Sequence, residues 1–141
     1  MAYCDYPDIL GAMDEEDVIA YTNDGDGDSV NMARVDQAVA GATALIDSHL
    51  GRRYGLPLNP IPEVIRDLAV DIAVYKIAGR KSDPGEEWRL KYKDAVRMLE
   101  RMADGKAVVP GAVAVASGAG DHSVSFSSNS RVFGRDSMGG W

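Results

Sequence analysis

The spacing of apolar residues predicts a long amphipathic helix that begins at Met32 and ends at Leu50. Its apolar residues recur at intervals of three and four, which places them on one face of a helix: Val35, Val39, Ala42, Ile46 and Leu50. Gly51 follows, at the position where a left-handed glycine often ends a helix. We therefore predict about five helical turns packed on a core through this one face.

A second periodic stretch, residues 63–78, is apolar over most of its circumference. We predict an inner stripe of four residues: Ile65, Leu68, Ile72 and Tyr75. Smaller apolar residues widen it, and only four charged residues keep a polar edge: Arg66, Asp67, Asp71 and Lys76. A helix this apolar is typically buried on two sides. We expect it in a bundle centre or against a neighbouring subunit.

Shorter helices are predicted on both sides of these two. Pro7 favours one helical turn near the N-terminus, and Asp14 is a candidate cap for residues 15–22. Asp83 followed by Pro84 predicts the start of another helix. This helix would end at Gly105, and its apolar face comprises Trp88, Tyr92, Ala95, Leu99 and Met102.

The segments between and after the helices differ in composition. Residues 22–31 are rich in Asp, Asn and Gly and predict a loop, and residues 52–62 contain three prolines. Residues 107–141, the arm, have few large apolar side chains and cannot stabilise themselves alone. We predict a mainly α fold: a small bundle of four to five helices in residues 1–106, and an extended arm in residues 107–141. Ser-Asn-Ser at 128–130 is compatible with a β-hairpin turn.

Length and charge restrict the function classes. With 141 residues, 45% of them hydrophobic, the chain is long enough for one domain with a core. The net charge of −7 is uneven: residues 1–50 carry eleven carboxylates and one base, Arg34, whereas residues 51–141 carry eleven acids and fourteen bases. An acidic front half disfavours binding to a phosphate backbone. Three interpretations of the acidic half remain open: a solvated face, a surface for a basic partner, or a wall past which DNA moves without adhering.

Two further expectations concern location. No uncharged apolar run of 18 residues occurs, so we expect no membrane span. The first ten residues lack the basic and apolar regions of a secretory signal, and we expect none. The single cysteine, Cys4, cannot form an internal disulfide, which fits a reducing compartment or indifference to redox state.

Three alternating aspartates in the 22–31 loop are the candidate metal ligands: Asp24, Asp26 and Asp28. Carboxylates at alternate positions of a loop can converge on a hard cation such as Ca²⁺. Ser29, however, stands where an EF-hand loop needs glycine, and Val35 stands where it needs glutamate. The loop is either a polar turn or an incomplete Ca²⁺ site. A Ca²⁺-responsive binding module is the alternative function that this pattern leaves open.

The tripeptide Arg52-Arg53-Tyr54, which we call the junction, is the second candidate site. Arginine forks bind carboxylates and phosphates, so the junction could bind an acidic partner or nucleic acid. Arginines after a helix also compensate its dipole and pair with nearby acids. Both interpretations remain open from the residues alone.

No arrangement of residues in the sequence points to catalysis. His49 and His122 are isolated and do not form a zinc site with the one cysteine. The serines at 123–128 lack a nucleophile-elbow context, and neither a phosphate-binding loop nor a dinucleotide fingerprint is present. We expect no enzymatic activity and no cofactor other than the Ca²⁺ considered above.

Several motifs along nearly the whole chain form a specific combination. An N-terminal AYCD precedes a short acidic helix and the DGDGD loop. A second group of motif residues runs from the end of the helix of residues 32–50 through the junction into the following connector: Ile46, Asp47, Leu50, Arg53, Tyr54, Leu56, Pro57 and Leu58. Three motifs follow. The first is Asp71-Ile72-Ala73 with Tyr75, and the second is Tyr92 to Ala95 with Leu99, Ala103, Gly105 and Lys106. The third is RVFGRD at 131–136. Together they resemble the head–tail adaptor (neck or connector) proteins of Mu-like tailed phages.

The resemblance implies a non-enzymatic virion protein at the head–tail interface, assembled in the host cytoplasm. Such adaptors form a homo-oligomeric, usually dodecameric, ring beneath the portal protein and carry the stopper or tail-completion protein. DNA passes through the ring without specific binding, and no membrane is involved. We expect the arm to contact a partner by strand addition or through its large and basic side chains: Phe126, Arg131, Val132, Phe133, Arg135 and Trp141.

In this context the junction is interpreted as a hinge between two packing helices. Tyr54 and Leu56 would close over the end of the bundle. Arg52 and Arg53 would then face acids of their own chain or of a neighbouring subunit.

Overall fold

The computed structural model describes residues 2–115 of the chain. Within this range it has five helices, which we number in chain order: α1 Tyr6–Leu10, α2 Glu15–Thr22, α3 Met32–Leu50, α4 Glu63–Ala78 and α5 Glu86–Ala103. The prediction of a mainly α bundle of four to five helices is confirmed. The predicted hairpin at residues 128–130 lies outside the described residues.

Helix α4 is the centre of the bundle, because it packs against each of the other four helices. Its buried residues cover most of its circumference: Ile65, Leu68, Ala69, Val70, Ile72, Ala73, Val74, Ile77 and Ala78. The bundle-centre alternative is therefore confirmed. Tyr75, which we placed in the inner stripe, lies instead at the edge of the core and stacks on Tyr92 of α5, with ring centroids 4.1 Å apart.

Helices α3 and α5 bury the faces that their spacing predicted. Helix α3 buries Val35, Ala38, Val39, Ala42, Ile46 and Leu50. Helix α5 buries Ala95, Leu99 and Met102, while Trp88 and Tyr92 are partly buried against the core. The apolar periodicity therefore identified the two outer walls of the bundle correctly.

The residues before α1 are fixed to the bundle through Tyr3, which is fully buried. Its hydroxyl donates a hydrogen bond to the carboxylate of Asp47 on α3 and accepts one of 3.3 Å from the backbone N–H of Leu58. Its own backbone N–H donates to Oγ1 of Thr43, at 3.2 Å. One side chain thus connects the N-terminal segment, α3 and the connector of residues 52–62.

Three helix ends differ from the sequence predictions. Gly51 has φ −63°, a right-handed conformation, so it is not the left-handed glycine we predicted. Asp14 occupies the N-cap of α2 but forms no capping hydrogen bond with its side chain. Helix α5 begins at Glu86 with Gly85 as its cap, because the Asp83 carboxylate lies in a turn before the helix, where it accepts hydrogen bonds from the Gly85 N–H and from the side chain of Arg89.

The end of α5 agrees with the prediction. Gly105 has φ +76°, which side chains other than glycine rarely adopt, and it turns the chain back toward the bundle. Residues 107–115, which we call the arm root, then pack along the helical body. Val109 is buried in the core, and Ala107 and Ala112 pack against it. The first part of the arm therefore belongs structurally to the helical body.

Candidate functional site

The junction closes the end of α3 with a hydrogen-bonded turn. The backbone N–H groups of Arg53 and Tyr54 donate to the carbonyl of Leu50, at 3.0 and 2.9 Å. Tyr54 is buried, as predicted, but Leu56 is 40% exposed. The prediction that Leu56 closes the bundle end is wrong, because the hydrogen bond from the Leu58 N–H to Tyr3 brings Leu58 into the core instead.

The arm root pairs with the junction as an antiparallel β-bridge between Tyr54 and Ala114. The Gly55 N–H donates to the Val113 carbonyl at 3.0 Å, and the Val115 N–H donates to the Arg53 carbonyl at 2.9 Å. In this pattern the backbone N–H and carbonyl of Ala114 face away from the junction. Neither forms a hydrogen bond with any other residue of the described range. Among residues 2–115 this strand edge has no partner, and we call it the open strand edge.

Apolar side chains are exposed around this edge. Val113 is 79% exposed and Val108 78%, and Val115 is also exposed. Single exposed apolar residues are ordinary on a protein surface, but Val113 and Val115 flank Ala114 on the open strand edge, which suits a partner strand.

The junction arginines border a cavity of about 430 Å³, which is also lined by Ala103, Asp104 and Val115. The guanidinium of Arg53 lies against Gly105, where an added Cβ would be 2.5 Å from Nη2. Arg52 and Arg53 are exposed, and neither forms an ion pair with an acid of residues 2–115. Asp104 lines the same cavity without forming an ion pair with either arginine, and pairing with acids of a neighbouring subunit stays a prediction.

The three candidate metal ligands in the loop of residues 23–31 have different surroundings. The Asp24 carboxylate accepts from Arg34 at 2.6 Å and from Arg80 at 2.8 Å, which joins the loop to α3 and to the end of α4. Asp26 and Asp28 are exposed. Across residues 2–115 no group of three or more His, Cys, Asp or Glu side chains is placed to hold a metal ion. In the described structure Asp24 is an ion-pair partner of two arginines, and the Ca²⁺ hypothesis stays a prediction.

Two residues of this arrangement were not recognised as site residues from the sequence, Arg34 and Arg80. Arg80 also donates from Nε to the carbonyl of Tyr21, at 2.8 Å. A signal for Arg34 existed, because it is the only base among the first 50 residues. Nothing local marked Arg80, whose partners lie 56 and 59 positions away in sequence.

The predicted contact residues of the arm all fall outside the described range: Phe126, Arg131, Val132, Phe133, Arg135 and Trp141. In the part of the chain that the structure does cover, none of the helices combines the length and apolarity needed to cross a membrane.

Comparison with known proteins places the chain in a phage class. A family model described as "Bacteriophage Mu, Gp36" matches residues 3–126. Gene product J of Escherichia phage Mu is 35% identical over 120 residues, which cover 84% of this chain and 81% of that protein. The Mu-like prophage FluMu protein gp36 of Haemophilus influenzae is 38% identical over 77 residues, 55% of this chain and 53% of that protein.

These matches place the chain in the class of Mu-like phage proteins. The chain belongs to the bacteriophage Mu Gp36 family, and the resemblance to a Mu-like phage family stated from the sequence motifs is confirmed at that level.

Proposed function

We propose that this chain is a structural adaptor of the phage neck. Copies of it would form a ring, dodecameric as in the adaptors it resembles, between the portal protein and a stopper or tail-completion protein. The ring would continue the DNA channel at the head–tail interface of the virion. Membership of the Mu Gp36 family supports the phage part of this proposal.

The observation that carries the adaptor role is the geometry of the arm root. It is fixed to the body by the Tyr54–Ala114 bridge, yet it presents an open strand edge and exposed valines at Val108, Val113 and Val115. A stable helical body with a docking strand at one end suits a protein that joins two partners by strand addition. Residues beyond 115 would extend this contact through Phe126, Phe133 and Trp141.

The proposed role involves no chemical step. The junction and the arm root offer exposed arginines, backbone hydrogen-bonding groups and apolar side chains, which are groups that bind a partner. DNA would pass without specific binding, because the chain is acidic overall and a polyanion is repelled by an acidic wall.

An in vitro joining assay tests the proposal. A lysate of the phage lacking this gene should contain full heads and separate tails, and adding the purified chain should restore infectious particles. Alanine substitution of Phe126, Phe133 and Trp141 together should abolish restoration while leaving the melting temperature unchanged. Lys93→Ala, on the exposed side of α5, serves as the control and should restore particles normally.

Two results would contradict the proposal. If the lysate without the gene already contains joined particles, the chain is not an adaptor. If the triple alanine variant joins heads to tails as well as the natural chain does, the arm is not the contact with the partner.

A further inference from the structure

A cleft between α3 and the end of α4 concentrates positive charge in the otherwise acidic part of the molecule. Its volume is about 380 Å³, and it is lined by three cations, Arg34, Lys76 and Arg80. Ala38 and Ile77 contribute apolar walls. We call it the cationic cleft; it lies outside the junction and the arm root.

The cations of this cleft are held by neighbouring groups. Asp24 bridges Arg34 and Arg80, and the Tyr21 carbonyl fixes Nε of Arg80. The stem of Lys76 lies across Gly41 of α3, where an added Cβ would be 3.2 Å from Cε of the lysine. The absence of a side chain at position 41 therefore lets Lys76 lie against α3 and line the cleft.

The charges in the cleft are only partly neutralised. Asp24 is the one acid that pairs with its arginines, and Lys76 forms no ion pair with the acids of residues 2–115. Three cations against one carboxylate leave an excess positive charge beside apolar walls. A carboxylate-bearing side chain would complete this arrangement with charge-assisted hydrogen bonds.

The same chain carries an unpaired acidic surface elsewhere. Asp14, Glu16 and Asp17 are exposed at the start of α2, and none of them forms an ion pair within the described residues. Lys76 lines the cleft beside Thr22, at the opposite end of α2. Two different surfaces of opposite charge on one chain allow a head-to-tail contact between copies, and such contacts form a ring when the rotation between neighbouring copies closes.

We infer that the cationic cleft of one copy binds the acidic first turn of α2 from the next copy. This inference rests on the proposed function, because it identifies the contact between copies of the proposed ring. A nucleic acid is a poorer occupant, because its phosphate backbone would extend beyond the cleft past the acids of residues 1–50, which would repel it. The first turn of α2 presents only a few carboxylates to the three cations of the cleft.

Disulfide trapping in assembled particles tests the contact directly. The chain with Lys76→Cys and Asp17→Cys would be incorporated by complementation, the particles oxidised, and the products separated without reductant. The expected result is a ladder of covalent multimers of this chain. Lys93→Cys with Asp17→Cys is the matched control and should give no ladder, and the natural Cys4 is buried.

A charge exchange gives a second readout. Lys76→Glu should reduce the yield of joined particles by about tenfold or more, as expected for loss of a charge pair at an interface. Adding Asp17→Lys to the same chain should restore the yield, because the pair is then reversed. Lys93→Glu has the same charge change on another surface and should leave the yield unchanged.

The outcomes separate this inference from the proposed function. Particles that contain a ring of this chain but give no 76–17 ladder would overturn the inference and leave the adaptor role intact. The inference would also be overturned if the disulfide joined this chain to a protein of different mass, or if the charge exchange did not restore the yield. Either result would assign the cleft to another occupant. Particles without any ring of this chain would contradict the proposed function itself.

Discussion

Tyr3 shows how one residue controls the end of the bundle that carries the junction. Its hydroxyl is buried between Asp47 and the Leu58 N–H, and it orders the connector that places Tyr54 and Leu58 in the core. Sequence reasoning marked the AYCD start and Asp47 as motif positions without assigning them a contact. Their pairing spans 44 residues, and local patterns carry no information on such a distance.

Replacing Tyr3 with Phe should lower the free energy of unfolding by about 1–3 kcal/mol, since Asp47 and the Leu58 N–H would lose a buried partner. Chemical denaturation followed by circular dichroism measures this change. Tyr6→Phe is the matched control, because the buried Tyr6 hydroxyl forms no hydrogen bond of good geometry within residues 2–115, although the Glu15 carboxylate lies near it, and its removal should cost less than removal of the Tyr3 hydroxyl. Equal losses in the two variants would contradict the role given to Tyr3.

The same hydroxyl gives the sign of a pH dependence. Burial, followed by the hydrogen bond to Asp47, raises the pKa of Tyr3 from 10.0 to about 12. The unfolded chain therefore loses this proton first as the pH rises, so the contribution to stability is complete below pH 10 and is lost between pH 10 and 12. The natural chain should lose more stability than Tyr3→Phe across this interval. A parallel decline in both would contradict the assignment.

Asp24 is the corresponding residue at the other end of the bundle. Asp24→Ala should lower the free energy of unfolding by about 1 kcal/mol, because two largely exposed ion pairs are lost and two arginines are left close together. Asp26→Ala, in the same loop and without an ion pair in the described structure, should change it by less than about 0.5 kcal/mol. If the two variants had the same stability, the loop would not be anchored through Asp24.

At the scale of elements, the sequence predicted the helices better than their ends. Spacing alone identified α3, α4 and α5, because burial of one face imposes a period that can be read directly. The N-terminal end of α5 was misplaced because the Asp83 carboxylate accepts hydrogen bonds from the Gly85 N–H, in the turn before the helix, and from the side chain of Arg89. Leu56 was misplaced because a distant residue, Tyr3, decides which connector leucine is buried. Caps and connectors depend on contacts that the local pattern does not contain.

The turn at Gly105 directs the arm root to the junction. Gly105→Ala should lower the free energy of unfolding by about 1–2 kcal/mol, the cost of a left-handed conformation for a residue with a Cβ. It should also displace Arg53 from the junction cavity. Gly25→Ala, at an open loop position, is the control and should have little effect on thermal or chemical denaturation. An unchanged stability in Gly105→Ala would show that the arm root is not positioned by this turn.

At the scale of the whole molecule, the described structure has docking features at two places. The junction and arm root present an open strand edge beside Arg52 and Arg53, and the cationic cleft lies near the acidic loop and Asp24. The sequence predicted the first of these in part, since Arg52-Arg53-Tyr54 and the arm were both candidate sites. It did not predict the cleft, because Arg34, Lys76 and Arg80 are brought together only by the packing of α3 on α4.

The uneven charge noted in the sequence gains a structural meaning at this scale. Exposed acids of α2 and the loop of residues 23–31 belong to the front half, and the cationic cleft is set among them. A body with an acidic turn at one end of α2 and a cationic cleft at the other end can bind copies of itself in one direction, and a docking strand at the arm root can then bind a different partner. These two kinds of contact are what a ring-forming adaptor requires.

A three-dimensional reconstruction of the neck in particles of the Mu-like phage that encodes this chain would show whether its copies form a ring between head and tail. The proposal predicts a ring built from copies of the five-helix body, located between the portal and the tail, with arm roots at the contacts to a neighbouring protein. Absence of the chain from the neck, or its presence there as a single copy without ring contacts, would contradict the proposal.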